Sequence, residues 1–259
     1  MNSKILKEKI SSGQPIIGTW NTFGSSMATK VLASSGLDFQ IIDFEHGPFS
    51  LHHVHDHITS SAIYDCSCLV RVPENEAWMC LQALDQGAEG VVIPQVSGEE
   101  SALKAVENIK YYPSGNRGFS PFTFSGDFTN ASVSDFHKKS NDNSVLVILL
   151  ETVESLNSLQ DIIKIPEIDV IYIGAYDLSK SLGIPGDIYN EKVVNIVKKA
   201  TKEINSSGKI AGSFVPQNME EIKFCLDLGL RFITYSVDTH ELKKAFSKAR
   251  KFIDTIKKS

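Results

Sequence analysis

Eight short apolar runs, each followed by a polar or amphipathic stretch, constrain this chain more than any other feature. They are IIGTW (16–20), FQIIDF (39–44), CLVRV (68–72), GVVIP (90–94), VLVILLE (145–151), VIYIG (170–174), KIAGSF (209–214) and FITYSV (232–237). Most are apolar on consecutive residues rather than on alternate ones. Such a strand must be buried on both faces, as in a parallel sheet covered by helices. Amphipathic segments fall at 25–36, 75–88, 97–112, 190–208 and 218–229. In the first, Met27, Val31 and Leu32 share a face; in the second, Trp78, Leu81 and Leu84 do. Ser97 and Glu100 have the spacing of a capping box. Eight strand–helix units predict an α/β fold, a single closed (β/α)8 TIM-type barrel, with an open doubly wound sheet as the alternative. The 259 residues suit one such barrel, and no linker rich in Pro, Gly or Ser divides them, so 1–259 reads as one domain.

Composition narrows the function. The chain is 42% hydrophobic and 22% charged, with a net charge of −5. That leaves no basic surplus to neutralise phosphates, which argues against nucleic acid. The basic C-terminal stretch KKAFSKARKFIDTIKKS reads as a helix with a solvated face. No apolar run approaches the ~18 residues of a membrane span, and the N-terminus has no secretory pattern. Cys66, Cys68, Cys80 and Cys225 show neither zinc-ribbon nor disulfide-framework spacing, so a reducing cytoplasm is expected.

The long connection before the fifth run carries the aromatic stretch FSPFTFSGDF, which is expected either to cover a pocket or to form an apolar patch at a subunit contact. In LHHVHDHI, His53 and His57 have a helix-face metal spacing, but Leu51, Val54 and Ile58 make the apolar stripe, so no specific metal is assigned there.

In a barrel, chemistry gathers where the strands end. The second run ends in Asp43, Glu45 and His46, the third in Arg71, the fifth in Glu151 and the eighth in Asp238, while the sixth leads into Asp177. Glu151 and Asp177 come from neighbouring strands, about 5 Å apart between axes. Two carboxylates that close call for a positive partner. A hard divalent cation such as magnesium or manganese fits, and Arg71 in an ion pair with one of them is the alternative. Asp85, at a helix end before the fourth run, either orients an imidazole or simply ends its helix.

IIDFEHGPF, VRVP, LDQGAEGVVIPQV, RGFSP, LLETVESLNSLQDIIKIPEIDVIYIGAYDLSKSLGIPGD and YSVDTHEL together resemble the metal-dependent, pyruvate-using class II aldolases. These are the 4-hydroxy-2-oxoheptanedioate and 2-dehydro-3-deoxygalactarate aldolases, within the citrate-lyase beta-chain and phosphoenolpyruvate/pyruvate barrel superfamily. The resemblance spans roughly residues 5 to 250. It implies a homo-oligomer, trimer or hexamer, with an exchanged C-terminal helix, and retro-aldol cleavage of a 4-hydroxy-2-oxo acid to pyruvate and an aldehyde. It implies a divalent cation (Mg2+, Mn2+ or Co2+) on Glu151 and Asp177. His46 would act as base through a water, with Asp85 raising its basicity. Arg71 would hold pyruvate and stabilise its enolate, with Ala175, Tyr176 and Asp177 also against the substrate. Asp43 and Glu45 would bond waters on the metal.

Two positions depart from the family pattern. Leu149 stands where a glutamine is common, and Tyr176 where a small residue precedes the metal aspartate. Both bear on the aldehyde partner rather than on pyruvate chemistry. The competing expectations are a lyase acting on a coenzyme A thioester, which calls for a basic nucleotide pocket that the sequence does not show, and a non-catalytic barrel serving in an assembly.

Overall fold

The computed structural model describes residues 3–48, 50–129, 133–215 and 218–256. Phe49 of the second strand's motif and residues 130–132 of the long connection lie outside them. The strands are β1 Ile16–Asn21, β2 Phe39–Asp43, β3 Ser67–Arg71, β4 Gly90–Ile93, β5 Val145–Leu150, β6 Val170–Ile173, β7 Ile210–Val215 and β8 Phe232–Val237. All pair in parallel with their sequence neighbours, and β8 closes on β1. The eight apolar runs are therefore the eight strands of a closed barrel, and the open-sheet alternative is excluded.

The helices before the long connection are α1 Ser3–Ser11, α2 Ser26–Ala33, α3 Val54–Ala62, α4 Ala77–Asp85 and α5 Glu99–Ile109. After it come α6 Val133–Asn143, α7 Val153–Asn157, α8 Leu159–Ile162, α9 Ala175–Ser181, α10 Glu191–Ser206, α11 Met219–Asp227 and α12 Asp238–Ile256.

Strand residues alternate between two cores. Phe39, Ile41, Leu69, Val145, Val147, Leu149, Val170, Tyr172 and Phe232 fill the barrel, where Leu6 and Ile10 of α1 join them. Ile42, Val70, Val91, Ile93, Leu146, Ile148, Ile171 and Ile173 face outward under the helices. This two-sided burial is why the runs are continuously apolar.

Three local expectations are corrected. The N-cap of α5 is Gly98, with no side-chain cap, and its carbonyl accepts from Ala102, so Ser97 sits one residue too early for a capping box. A capping box does form at Thr152 and Ser155, opening α7. On α2 the buried residues are Thr29 and Ala33, whereas Met27 and Val31 are exposed. On α4 Trp78 is exposed too, and Cys80, Ala83 and Leu84 face the core.

The α2 correction has a physical cause, because the surface beneath that helix is polar. Asn21 donates its amide to Thr29 Oγ1 (2.7 Å) and Gln40 Oε1 (3.1 Å). Gln40 Nε2 donates to the Thr29 carbonyl (2.9 Å) and Ser61 Oγ (3.2 Å). Thr29 Oγ1 lies 2.6 Å from Nδ1 of buried His57. His57 is thus part of a buried hydrogen-bonded seam joining β1, β2, α2 and α3.

Burial holds the His57 imidazole down at a pKa of about 4, with Asp56 opposing and His53 assisting. An unfolded histidine titrates near 6.5. Above that pH the ring is neutral in both states. Below it the unfolded chain binds a proton that the fold refuses, so stability should fall as pH drops from about 6.5 toward about 4. Urea midpoints at several pH values should show the wild type losing more stability in this window than His57→Gln, even though the variant starts lower at pH 7. Parallel curves for the two proteins would remove His57 as the cause.

Candidate active site

The period of two along a strand decides which end residues face inward. Ile41, Leu69 and Leu149 fill the barrel. Two residues further on, the same parity brings Asp43, Arg71 and Glu151 to the inner side of the C-terminal rim. They line one cavity of about 460 Å³ together with His46, Ala175, Tyr176 and Asp177. The remaining wall includes Trp20, Leu149, Tyr172, Phe214 and His240.

Arg71 is the buried cation of this rim. Its Nε and Nη2 donate to the two oxygens of Asp43 (2.9 and 2.6 Å), and Nη1 lies 2.8 Å from Glu45 Oε2. Its guanidinium carbon stacks 4.3 Å above the Trp20 ring. Burial works against this charge, but the hydrogen bonds and charge of Asp43, with Glu45 and Glu151 adding to them, hold it above the usual arginine range. The expected ion pair of Arg71 with Glu151 or Asp177 is corrected: its partners are Asp43 and Glu45, which lie nearer along β2 and the turn after it. A guanidinium has five N–H donors, and these contacts engage three of them.

Asp43 does more than pair with Arg71. Its Oδ1 also accepts the backbone N–H groups of Glu45 (3.1 Å) and His46 (3.2 Å), and its carbonyl accepts from Gly47 (3.0 Å). One buried carboxylate folds the turn that carries His46 to the cavity. That is why a strand so apolar can end in charge, and its direct partners are a guanidinium and backbone amides.

Glu151 leaves β5 against Gly174, the residue that follows β6 and precedes α9. A Cβ at Gly174 would sit 2.8 Å from Glu151 Cγ, so a glycine is needed for the side chain to lie there. Burial pushes the Glu151 carboxyl up, a hydrogen bond from the Gln95 backbone opposes this, and the charges of Asp177 and Glu45 push it further. Asp177 is exposed on the first turn of α9, with Lys180 Nζ 4.0 Å away. Four carboxylates (Asp43, Glu45, Glu151 and Asp177) thus gather near one buried guanidinium. Among the described residues no group of three or more His, Cys, Asp or Glu is arranged to hold a metal ion. Two hard oxygen donors in excess negative charge, with open cavity beside them, nonetheless fit a cation such as magnesium, which commonly takes one or two carboxylates and completes its shell with substrate and water.

Other sequence candidates lie elsewhere. Asp85 ends α4 on the side where strands begin, pairs with Arg117 Nη2 at 2.6 Å, and does not line the cavity. Within one chain it does not orient His46. Asp238 ties the loop after β1 to α12 by accepting from Thr22 N (3.0 Å) and Phe23 N (3.0 Å). The aromatic connection does not cover this cavity. Phe119, Phe124 and Phe128 line a separate hollow of about 580 Å³ beside Ala88 and Ser144, near the starts of β4 and β5, and Phe122 and Phe128 are exposed.

Trp20, Tyr172, Phe214 and His240, a histidine with no sequence pattern around it, also line the cavity, and Gln95 and Gly174 lie against Glu151. Inward parity from the core flags Trp20 and Tyr172. Nothing local in the sequence marks the others.

Comparison with known proteins gives the family. The HpcH/HpaI aldolase/citrate lyase family model matches residues 17–245. This chain belongs to that family. It is 30% identical over 235 residues to a hydroxypyruvate/pyruvate aldolase of Agrobacterium fabrum, covering 91% of this chain and 88% of that one. It is 30% identical over 239 residues to a 4-hydroxy-2-oxo-heptane-1,7-dioate aldolase of Escherichia coli, covering 92% and 90%. A crystal structure of an HpcH/HpaI aldolase from Desulfitobacterium hafniense superposes with a TM-score of 0.90 at 27% identity, covering 96% of each chain. The resemblance in the strand-end motifs is a family relationship, and the chain is an aldolase-type lyase.

Removing the guanidinium should strand Asp43 in the barrel. Arg71→Ala is expected to cost about 3–5 kcal/mol of stability, the usual penalty for deleting one partner of a buried ion pair. Urea denaturation measures this, and a loss below about 1 kcal/mol would show that Asp43 finds other partners.

Proposed function

We propose that this protein cleaves a 4-hydroxy-2-oxo acid reversibly to pyruvate and an aldehyde at the rim cavity, using a divalent cation on Glu151 and Asp177. The observation that carries this reading is the convergence of His46, Arg71, Glu151 and Asp177 on one cavity. A cation bound there supplies Lewis-acid stabilisation of the charge that develops on the keto oxygen.

The chain's own residues do the rest. His46 takes the proton of the C4 hydroxyl as the C3–C4 bond breaks, and the oxygen's electrons become the aldehyde carbonyl. The electron pair of the broken bond passes to the pyruvate fragment, and a proton returned to C3 completes the cleavage. Imidazole suits both transfers near neutral pH. The two N–H donors of Arg71 not engaged by Asp43 and Glu45 can bond the oxo acid. The first helical bond of α9 runs from Leu178 N–H to the Gly174 carbonyl, so the N–H groups of Ala175, Tyr176 and Asp177 precede it and can receive the substrate carboxylate. Asp43 and Glu45 act by fixing Arg71. Asp85 is not placed to assist His46 within one chain.

Tyr176 is proposed to govern the choice of aldehyde. Its ring meets Phe214 at 5.8 Å, and with Leu149 it makes part of the wall apolar. A homo-oligomer is also proposed. Among its described residues α12 buries none, and Leu242, Phe246, Phe252, Ile253 and Ile256 are exposed. Light scattering on the purified protein reads this directly, and a monomer at micromolar concentration would reject it.

Exchange of pyruvate methyl protons with deuterated water, followed by NMR, tests the central reading without knowledge of the aldehyde. Chelator should abolish exchange and manganese restore it. Exchange that survives thorough chelation would remove the metal from the mechanism.

His46→Ala should lower aldol turnover by about two to four orders of magnitude, the usual worth of a positioned acid–base group. A loss under fivefold would place the base elsewhere.

Tyr176→Ala should re-rank a panel of short aldehydes while pyruvate exchange stays near wild type. An unchanged ranking would clear Tyr176 of that role.

A further inference from the structure

Gln95 follows Pro94 at the end of β4. Proline has no N–H to give to the ladder, and pairing with β5 resumes at Val96, whose N–H reaches the Leu149 carbonyl. Between them Gln95 has φ of +54°. That left-handed conformation is uncommon for a residue with a Cβ, and it persists where the surroundings hold it. Here it turns the Gln95 backbone N–H onto Glu151 Oε1 at 3.1 Å. The side chain of the same residue donates from Nε2 to Glu45 Oε1 at 3.0 Å. Glu45 in turn holds Arg71 Nη1 through its other oxygen, at 2.8 Å. An unbroken chain of polar contacts therefore crosses four strand ends, from Asp43 through Arg71, Glu45 and Gln95 to Glu151.

We propose that Gln95 is a positioning residue for Glu151, occupying one carboxylate oxygen with its backbone N–H while its side chain locks that backbone to the Glu45–Arg71 pair. The other oxygen of Glu151 is then presented in one orientation. A glycine would adopt this φ without penalty, but it would lack the amide that anchors the turn to Glu45. A glutamine in a conformation that favours glycine makes sense if the anchor is what matters. This inference rests on Glu151 being a cation ligand.

Two variants test it, with manganese as the probe. Gln95→Met keeps the length of the side chain and removes its amide. Gln95→Gly relieves the left-handed backbone and removes the side chain. Calorimetric titration of the protein should show manganese affinity falling about tenfold or more in both, as for other groups that orient metal ligands. The Tm of the metal-free protein should hold for Gln95→Met and hold or rise for Gln95→Gly. In pyruvate proton exchange at saturating manganese, KM should rise more than kcat falls. A merely structural residue would lower Tm and leave affinity alone. If either variant binds manganese within twofold of wild type, the proposal is overturned. If wild type shows no manganese site that Glu151→Gln removes, the proposal falls together with the metal reading. Wild-type binding with unaffected Gln95 variants removes Gln95 alone.

Discussion

The rim depends on one buried positive charge. Arg71 stands among Asp43, Glu45 and Glu151 at the top of an apolar barrel, where an uncompensated carboxylate is costly. Its planar fork fits the two oxygens of Asp43 and still reaches Glu45 with its other arm. A lysine, a point charge on a flexible stem, could not satisfy both at once. Because Asp43 also gathers the backbone N–H groups of Glu45 and His46, the same interaction that stabilises Arg71 shapes the turn of the proposed base.

Beneath that charge the barrel interior is aromatic and hydrogen-bonded. Trp20 offers its face to Arg71 and its indole N–H to Thr234 (3.0 Å), while the Tyr172 hydroxyl lies 2.6 Å from the same Thr234 oxygen. A cation on an aromatic face is favoured when desolvated, and the indole and phenol each find the partner that a buried Trp or Tyr needs. The floor of the cavity is thus closely hydrogen-bonded. Another part of its wall, formed by Leu149, Tyr176 and Phe214, is apolar. In the proposed reaction the donor half would meet the charged side and the acceptor half the apolar one.

The surface carries a different message from the rim. Met27 and Val31 point outward from α2, whose buried residues are Thr29 and Ala33, Trp78 points outward from α4, and α12 exposes Phe246 and Phe252. Amphipathic periodicity locates an apolar stripe on a helix, but it does not say whether the barrel or another chain covers it. This is why the stripe of α2 was legible and its direction was not.

The sequence by itself determined the barrel and most of its rim. Eight continuous apolar runs admit little else, and a strand's period of two carries Asp43, Arg71 and Glu151 inward once Ile41, Leu69 and Leu149 are known to be core. These are properties of neighbouring residues, so they can be read along the chain. Only the tertiary structure decided who pairs with whom. It gave Arg71 to Asp43 and Glu45, kept Asp85 at the other end of the barrel with Arg117, and folded the aromatic connection away from the cavity. It alone joined Gln95 to Glu151, 56 residues along the chain. Such contacts depend on barrel closure and strand register, which bring distant residues within hydrogen-bonding reach and leave no mark in the local sequence.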